Sequence, residues 1–392
     1  MSGLIYSKTK VPDVLFLVGF GFLVGPVLGI FDRDVFVSIA PLMGIVSICI
    51  IIFDSGLSLN FRYWRGTFMK AAVLTIVTFI TMTSLVGLAV NRFLPEYFSL
   101  LDGLLLGTMV AGVSTMAVTR SLESFRENLP DLESTLRLLN LESNMCDPVR
   151  VVWGISVIKL LMTPAAPIRD TFRDIVYTLV IGALIGLVIG LAWSEVLDRL
   201  RGKPYNYIIT VAAVFPTYLL AETIAEEGGG PIATFVFGMV LTNYRQVTRW
   251  LGWDRRLKPD NGKIVEFNEE ISFVLKAYYF VYIGLIATLT KEYLMISMGV
   301  ILLLFIVRYV VASGVGRAMG ITREEGVLSK MVFSLGTTTL VLSQLPAVMD
   351  PERVYFMRPE IYSDLCIPIV LGTILFASIA TPAIVRRRLK KY

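Results

Sequence analysis

The chain has 392 residues, 55% of them hydrophobic and only 17% charged, with a mean hydropathy of +0.71. A soluble protein of this length has no means of hiding so much apolar surface, whereas a bilayer absorbs it. The net charge is +5 and histidine is absent, which excludes histidine catalysis and histidine pH sensing and leaves proton chemistry to carboxylates.

Apolar stretches long enough to cross ~30 Å of hydrocarbon predict twelve helices, at about 12–30, 36–53, 67–93, 99–120, 138–162, 172–197, 205–224, 230–243, 269–289, 293–318, 326–348 and 361–385. The fold class expected is therefore all-α and integral to the membrane, with residues 1–392 forming one transporter domain. The eighth span is short and reads as tilted or interrupted. The 244–265 segment after it, with Trp250 and Trp253 among basic residues, reads as an interfacial loop.

Alternate loops differ sharply in basic content: one set with its tail carries 23 Lys and Arg, the opposite set 7. The positive-inside rule places the richer set, and both termini, in the cytoplasm of a multi-pass protein of the cell membrane. The excess positive charge thus reports topology in a lipid bilayer, and no nucleic-acid partner is expected. The basic tail, Arg386 to Lys391, also fits an anionic-lipid segment.

Two spans carry small, hydroxylated clusters at mid-membrane: Gly112-Val113-Ser114-Thr115 in the fourth and Gly336-Thr337-Thr338-Thr339 in the eleventh. Either alone reads as helix packing through small residues. Together they lie seven spans apart, hence in oppositely directed helices, which is the pattern of inverted repeats with two interrupted crossing helices. Half-helix ends meeting there would present partial charges of both signs to an ion.

The fifth span is the most polar: Glu142-Ser143-Asn144-Met145-Cys146-Asp147-Pro148-Val149-Arg150. A charge at mid-bilayer costs at least ~2.5–3.5 kcal/mol and is rarely idle. At about 100° per residue, Ser143, Asp147 and Arg150 share one stripe, and Glu142 and Cys146 the adjoining one. Pro148 removes a backbone donor and frees a carbonyl near residue 144, which predicts a loosened helix. A buried carboxylate that water can reach holds either a proton or a cation, and Asp147 is the candidate for that exchange. Arg308, in the tenth span, needs a buried partner, and Glu142 is the natural one for a structural ion pair. For Arg150 three partners stay open: Asp147, Asp364 or Glu222. Cys49, Cys146 and Cys366 lie in apolar segments without paired spacing, so neither disulfides nor zinc follow.

These residues resemble the prokaryotic sodium/proton antiporters of the NhaP type, within the monovalent cation/proton antiporter superfamily. The likeness runs through Val11-Pro12 to Gly25-Pro26, Phe53-Asp54-Ser55-Gly56-Leu57, Glu142-Ser143-x-x-Cys146-Asp147, Phe280-x-x-x-Gly284-Leu285 and Arg308. It implies an NhaA-like antiporter fold and a homodimer. The core bundle would come from about 67–163 and 293–385, the dimerisation part from about 12–55 and 205–290, with 172–197 linking them. It also implies a monovalent cation held by Asp147, Ser143 and the backbone near Thr115, with Glu142 nearby. Three positions depart from the pattern: Cys146 stands where the family has asparagine, Thr115-Met116-Ala117 replaces Thr-Asp-Pro, and the threonine run replaces an Arg-Gly.

The function expected is exchange of Na+, Li+ or K+ for protons at a shared aspartate by alternating access, with the ions as substrates and no cofactor. The alternatives are a same-fold transporter of an anion or organic solute, with Arg150 as counter-charge, and a transport-inactive sensor. No nucleophile–base constellation suggests an enzyme.

Overall fold

The computed structural model describes residues 13–30, 33–61, 64–114, 132–163, 168–200, 203, 205–225, 228–253, 262–286, 290–321, 326, 328–330 and 333–389. Twelve α-helices run through them: α1 Asp13–Phe22, α2 Arg33–Ser58, α3 Met69–Phe93, α4 Leu100–Val110, α5 Leu132–Met162, α6 Ile168–Arg199, α7 Asn206–Ile224, α8 Gly229–Trp250, α9 Gly262–Ile286, α10 Lys291–Ala318, α11 Thr337–Met349 and α12 Glu360–Leu389. Each predicted span maps onto one of them, and no strand occurs among the described residues. Five helical segments there are long and apolar enough to cross a bilayer: Gly66–Phe93, Arg173–Arg199, Asn206–Ile224, Lys291–Ala318 and Glu360–Ile379. Their outward rows are apolar, as with Leu302, Ile306 and Val310 on α10, which suits lipid rather than water.

The chain forms two compact units, and α2, α5 and α9 each pass from one to the other. The first comprises residues 1–41, 65–146 and 276–392. Within it α3 packs on α4 and α10, α12 packs on α10 and α11, and α4 touches α11 and α12. Glycines set the closest approaches. A Cβ on Gly107 of α4 would lie 2.4 Å from the Thr83 carbonyl of α3, and one on Gly284 of α9 would lie 2.2 Å from the Val18 carbonyl of α1. Hydrocarbon offers helices no hydrophobic drive to associate, so close backbone packing has to supply it.

α4 opens with a capping box between Ser99 and Asp102, and Asp102 also accepts from the Tyr362 hydroxyl of α12 at 2.9 Å. Between α11 and α12 the Asp350 carboxylate accepts from the backbone N–H groups of Val354 (2.9 Å), Tyr355 (2.7 Å) and Phe356 (2.8 Å). Burial disfavours its charge, but these three donors outweigh that and hold the carboxyl below the usual carboxylate range. A depressed pKa contributes stability above the unfolded value and loses it only as pH falls through the folded one. The amides of 354–356 are therefore expected to stay protected from hydrogen exchange at pH 5, to lose protection only in stronger acid, and to lose it at neutral pH in Asp350→Ala.

The second unit comprises 42–64 and 147–275, with α8 packed on α6 and α7. Gly182, Gly186 and Gly190 stripe one face of α6, and a Cβ on Gly186 would sit 2.3 Å from the Ala233 carbonyl of α8. α8 is longer than the predicted span. It bends at Asn243 (φ −112°, ψ 21°) and continues to Trp250, so 244–250 is helix and not part of a loop. Asn243 explains the bend: its amide donates to the carbonyls of Leu59 (2.6 Å) and Met239 (2.8 Å) and its oxygen accepts from Phe61 N–H (2.7 Å). Trp250 stacks on Phe61 at 5.3 Å between centroids.

Candidate functional site

In the first unit, the two hydroxyl-rich clusters meet. α4 stops at Val110 and residues 111–114 are not helical; residues 333–336 are likewise irregular, and α11 begins only at Thr337. Ser114 N–H donates to the Ser334 carbonyl at 2.7 Å, and the Ser334 hydroxyl donates back to the Ser114 carbonyl at 2.6 Å. Backbone groups freed by two broken helices thus satisfy one another, as apolar surroundings require. Leu335 N–H donates to Thr373 Oγ1 of α12 at 3.1 Å. Gly336 leaves room for the approach: a Cβ there would lie 2.8 Å from Ser114 Oγ. Gly112 is buried, as are Thr337, Thr338 and Thr339 in the first turn of α11. Thr115 lies outside the described residues, with Met116 and Ala117. Ser334 and Thr373 were not singled out in the sequence. Their signal was a lone hydroxyl inside an apolar span, which is weak.

Beside this crossing, α5 and α10 are joined by charge. Arg308 forms a two-pronged pair with Glu142: Nη1 meets Oε1, and Nη2 donates to Oε2 at 2.8 Å. Arg308 Nε donates to the Ser329 carbonyl at 2.7 Å. Both side chains are fully buried, so fork-on-fork geometry is what makes the charges tolerable. The Glu142 carbonyl accepts from Thr75 of α3 at 3.4 Å. Ser143 is buried, and the Cys146 thiol reaches the Ala111 carbonyl at 3.5 Å.

In the second unit, Asp147 is paired with Arg150. Arg150 Nη2 stands 2.5 Å from Asp147 Oδ1, and the side chains are 1% and 19% exposed respectively. Of the three partners open to Arg150, Asp147 meets it in an ion pair. Glu222, on α7, accepts from Gly228 N–H at 2.8 Å. α5 runs as helix through Pro148, from Leu132 to Met162, so the donor that Pro148 lacks does not end it.

A buried acid–base ion pair and two broken helices tied at a crossing in the first unit, and a second acid–base pair in the other unit, can each be set against known proteins. The family model for the transmembrane part of sodium/hydrogen exchangers matches residues 1–391. The chain belongs to the sodium/hydrogen exchanger family. This is a family of transporters, not of enzymes. Among curated relatives, the K(+)/H(+) antiporter NhaP of Alkalimonas amylolytica is 25% identical over 248 residues, 62% of this chain and 41% of that protein. Na(+)/H(+) antiporter 1 of Methanocaldococcus jannaschii is 23% identical over 289 residues, 71% of this chain and 64% of that one. The match to these relatives thus spans about two fifths to two thirds of their length. The solved structure of the sodium proton antiporter MjNhaP1 from Methanocaldococcus jannaschii superposes with a TM-score of 0.77 at 18% identity, covering 97% of this chain and 95% of that one. That similarity shows a shared fold.

Proposed function

We propose that this exchanger swaps a monovalent cation, Na+, Li+ or K+, for a proton at Asp147 by alternating access, with Ser143 one helical turn earlier on α5. One observation carries the reading: Asp147 is the partly accessible carboxylate of the polar stretch on α5, at 19%, while Glu142 is sealed by Arg308 at 1%. A sealed, doubly bonded carboxylate serves structure. A carboxylate still open to its surroundings is free to trade a proton for a cation, because neither form can be held while the other is present. The interlocked breaks at Ser114 and Ser334 support a moving part built from half-helices, as in transporters of inverted-repeat design. The antiporter names of the relatives agree with cation and proton as substrates, and no cofactor is invoked. The protein is placed by this reading in the cell membrane as a homodimer, with both termini cytoplasmic.

The test is a flux assay on purified protein in proteoliposomes carrying an imposed pH gradient. Addition of at least one of Na+, Li+ or K+ is expected to collapse the gradient. If all three leave it intact, the reading is wrong, and collapse by an anion in their place would favour the counter-charge role of Arg150.

A further inference from the structure

Exchange at Asp147 requires its carboxylate to hold one mobile cation or one proton, yet a cation is already built in beside it. Arg150 comes three residues later on α5, on the same helical face, with Nη2 2.5 Å from Asp147 Oδ1 and its side chain 1% exposed. A guanidinium stays protonated at any biological pH. Unlike the transported ion, it cannot leave, and its covalent attachment gives it a high effective concentration at the carboxylate. We propose that Arg150 tunes the ion site of this chain: a tethered cation that competes with the transported ion for Asp147 and weakens cation binding. The inference rests on the reading of Asp147 as the ion carrier.

Cation loading at Asp147 must break this short, charge-assisted contact with Arg150.

The experiment is calorimetric titration of the purified full chain in nanodiscs with NaCl, LiCl and KCl, with choline chloride as control. Arg150→Met and Arg150→Gln are each expected to bind at least one of the three cations ~10-fold or more tightly than the native chain, as removal of a competing charge requires. Arg150→Lys, which keeps the charge and loses the fork, is expected to bind as weakly as the native chain. A purely structural arginine would not sort the variants by charge. The inference is overturned if the neutral variants bind no more tightly, or if lysine tightens binding as they do. It is also overturned if the gain survives Asp147→Asn in the Arg150→Met background, or if the native chain's heat tracks chloride. The reading of Asp147 as carrier fails separately, in proteoliposomes, if the native chain moves protons with none of the three cations.

Discussion

Asp147→Asn is expected to abolish cation-driven collapse of a pH gradient in proteoliposomes, lowering the rate at least ~100-fold. Loss of an outer-shell partner at an ion site costs about 10–100-fold, and this substitution removes the group proposed to hold the ion itself. Asparagine cannot take up a proton at any working pH, and its amide binds a monovalent cation far more weakly than a carboxylate. It does retain an oxygen within reach of Arg150 Nη2, the group that stands 2.5 Å from the native carboxylate, so folding should be preserved. Thermal unfolding of the variant checks that point. Asp147→Glu keeps the charge but moves it outward by one methylene, and partial transport is expected. Full activity in Asp147→Asn would remove Asp147 from the mechanism, while the membrane fold would stand.

Much of this molecule is legible in its residues alone, for physical reasons that differ from element to element. Span number was legible because hydrocarbon thickness sets a minimum apolar length and loop charge gives an independent count. The partner of Arg308 was legible because a guanidinium buried in a membrane must find an acid, and Glu142 was available on a facing span; the structure joins them. The breaks at 111–114 and 333–336 were legible as hydroxyl clusters, but the reciprocal bonds through Ser334 were not, since one serine in an apolar run carries almost no signal. Arg150 stayed open because three acids lay at plausible positions and spacing alone does not say which of them a long side chain meets; the structure shows an ion pair with Asp147. Pro148 marks a missing backbone donor that is legible from the residue type alone, and α5 runs on through it. At Asn243 a run that looked like loop continued as helix because a side-chain amide met three backbone groups of the same unit.

The Glu142–Arg308 pair yields the largest expected change in stability. Removing one member leaves a buried charge without its fork, so Glu142→Ala or Arg308→Ala should each cost about 3–5 kcal/mol. Both charges are completely buried, and Arg308 also holds the Ser329 carbonyl, so water cannot easily replace the lost partner. Glu142→Leu with Arg308→Met removes both charges while roughly keeping volume, and such replacements are often neutral or stabilising. The double variant is therefore expected to recover most of the loss, which a double-mutant cycle on unfolding free energies would measure. The same double variant separates structure from transport. If it folds and still collapses a pH gradient on cation addition, the pair is a clamp between α5 and α10 and the exchange chemistry resides at Asp147. If it folds normally and transport is lost, Glu142 takes part in ion or proton transfer, and the division of labour between the two carboxylates of α5 must be redrawn.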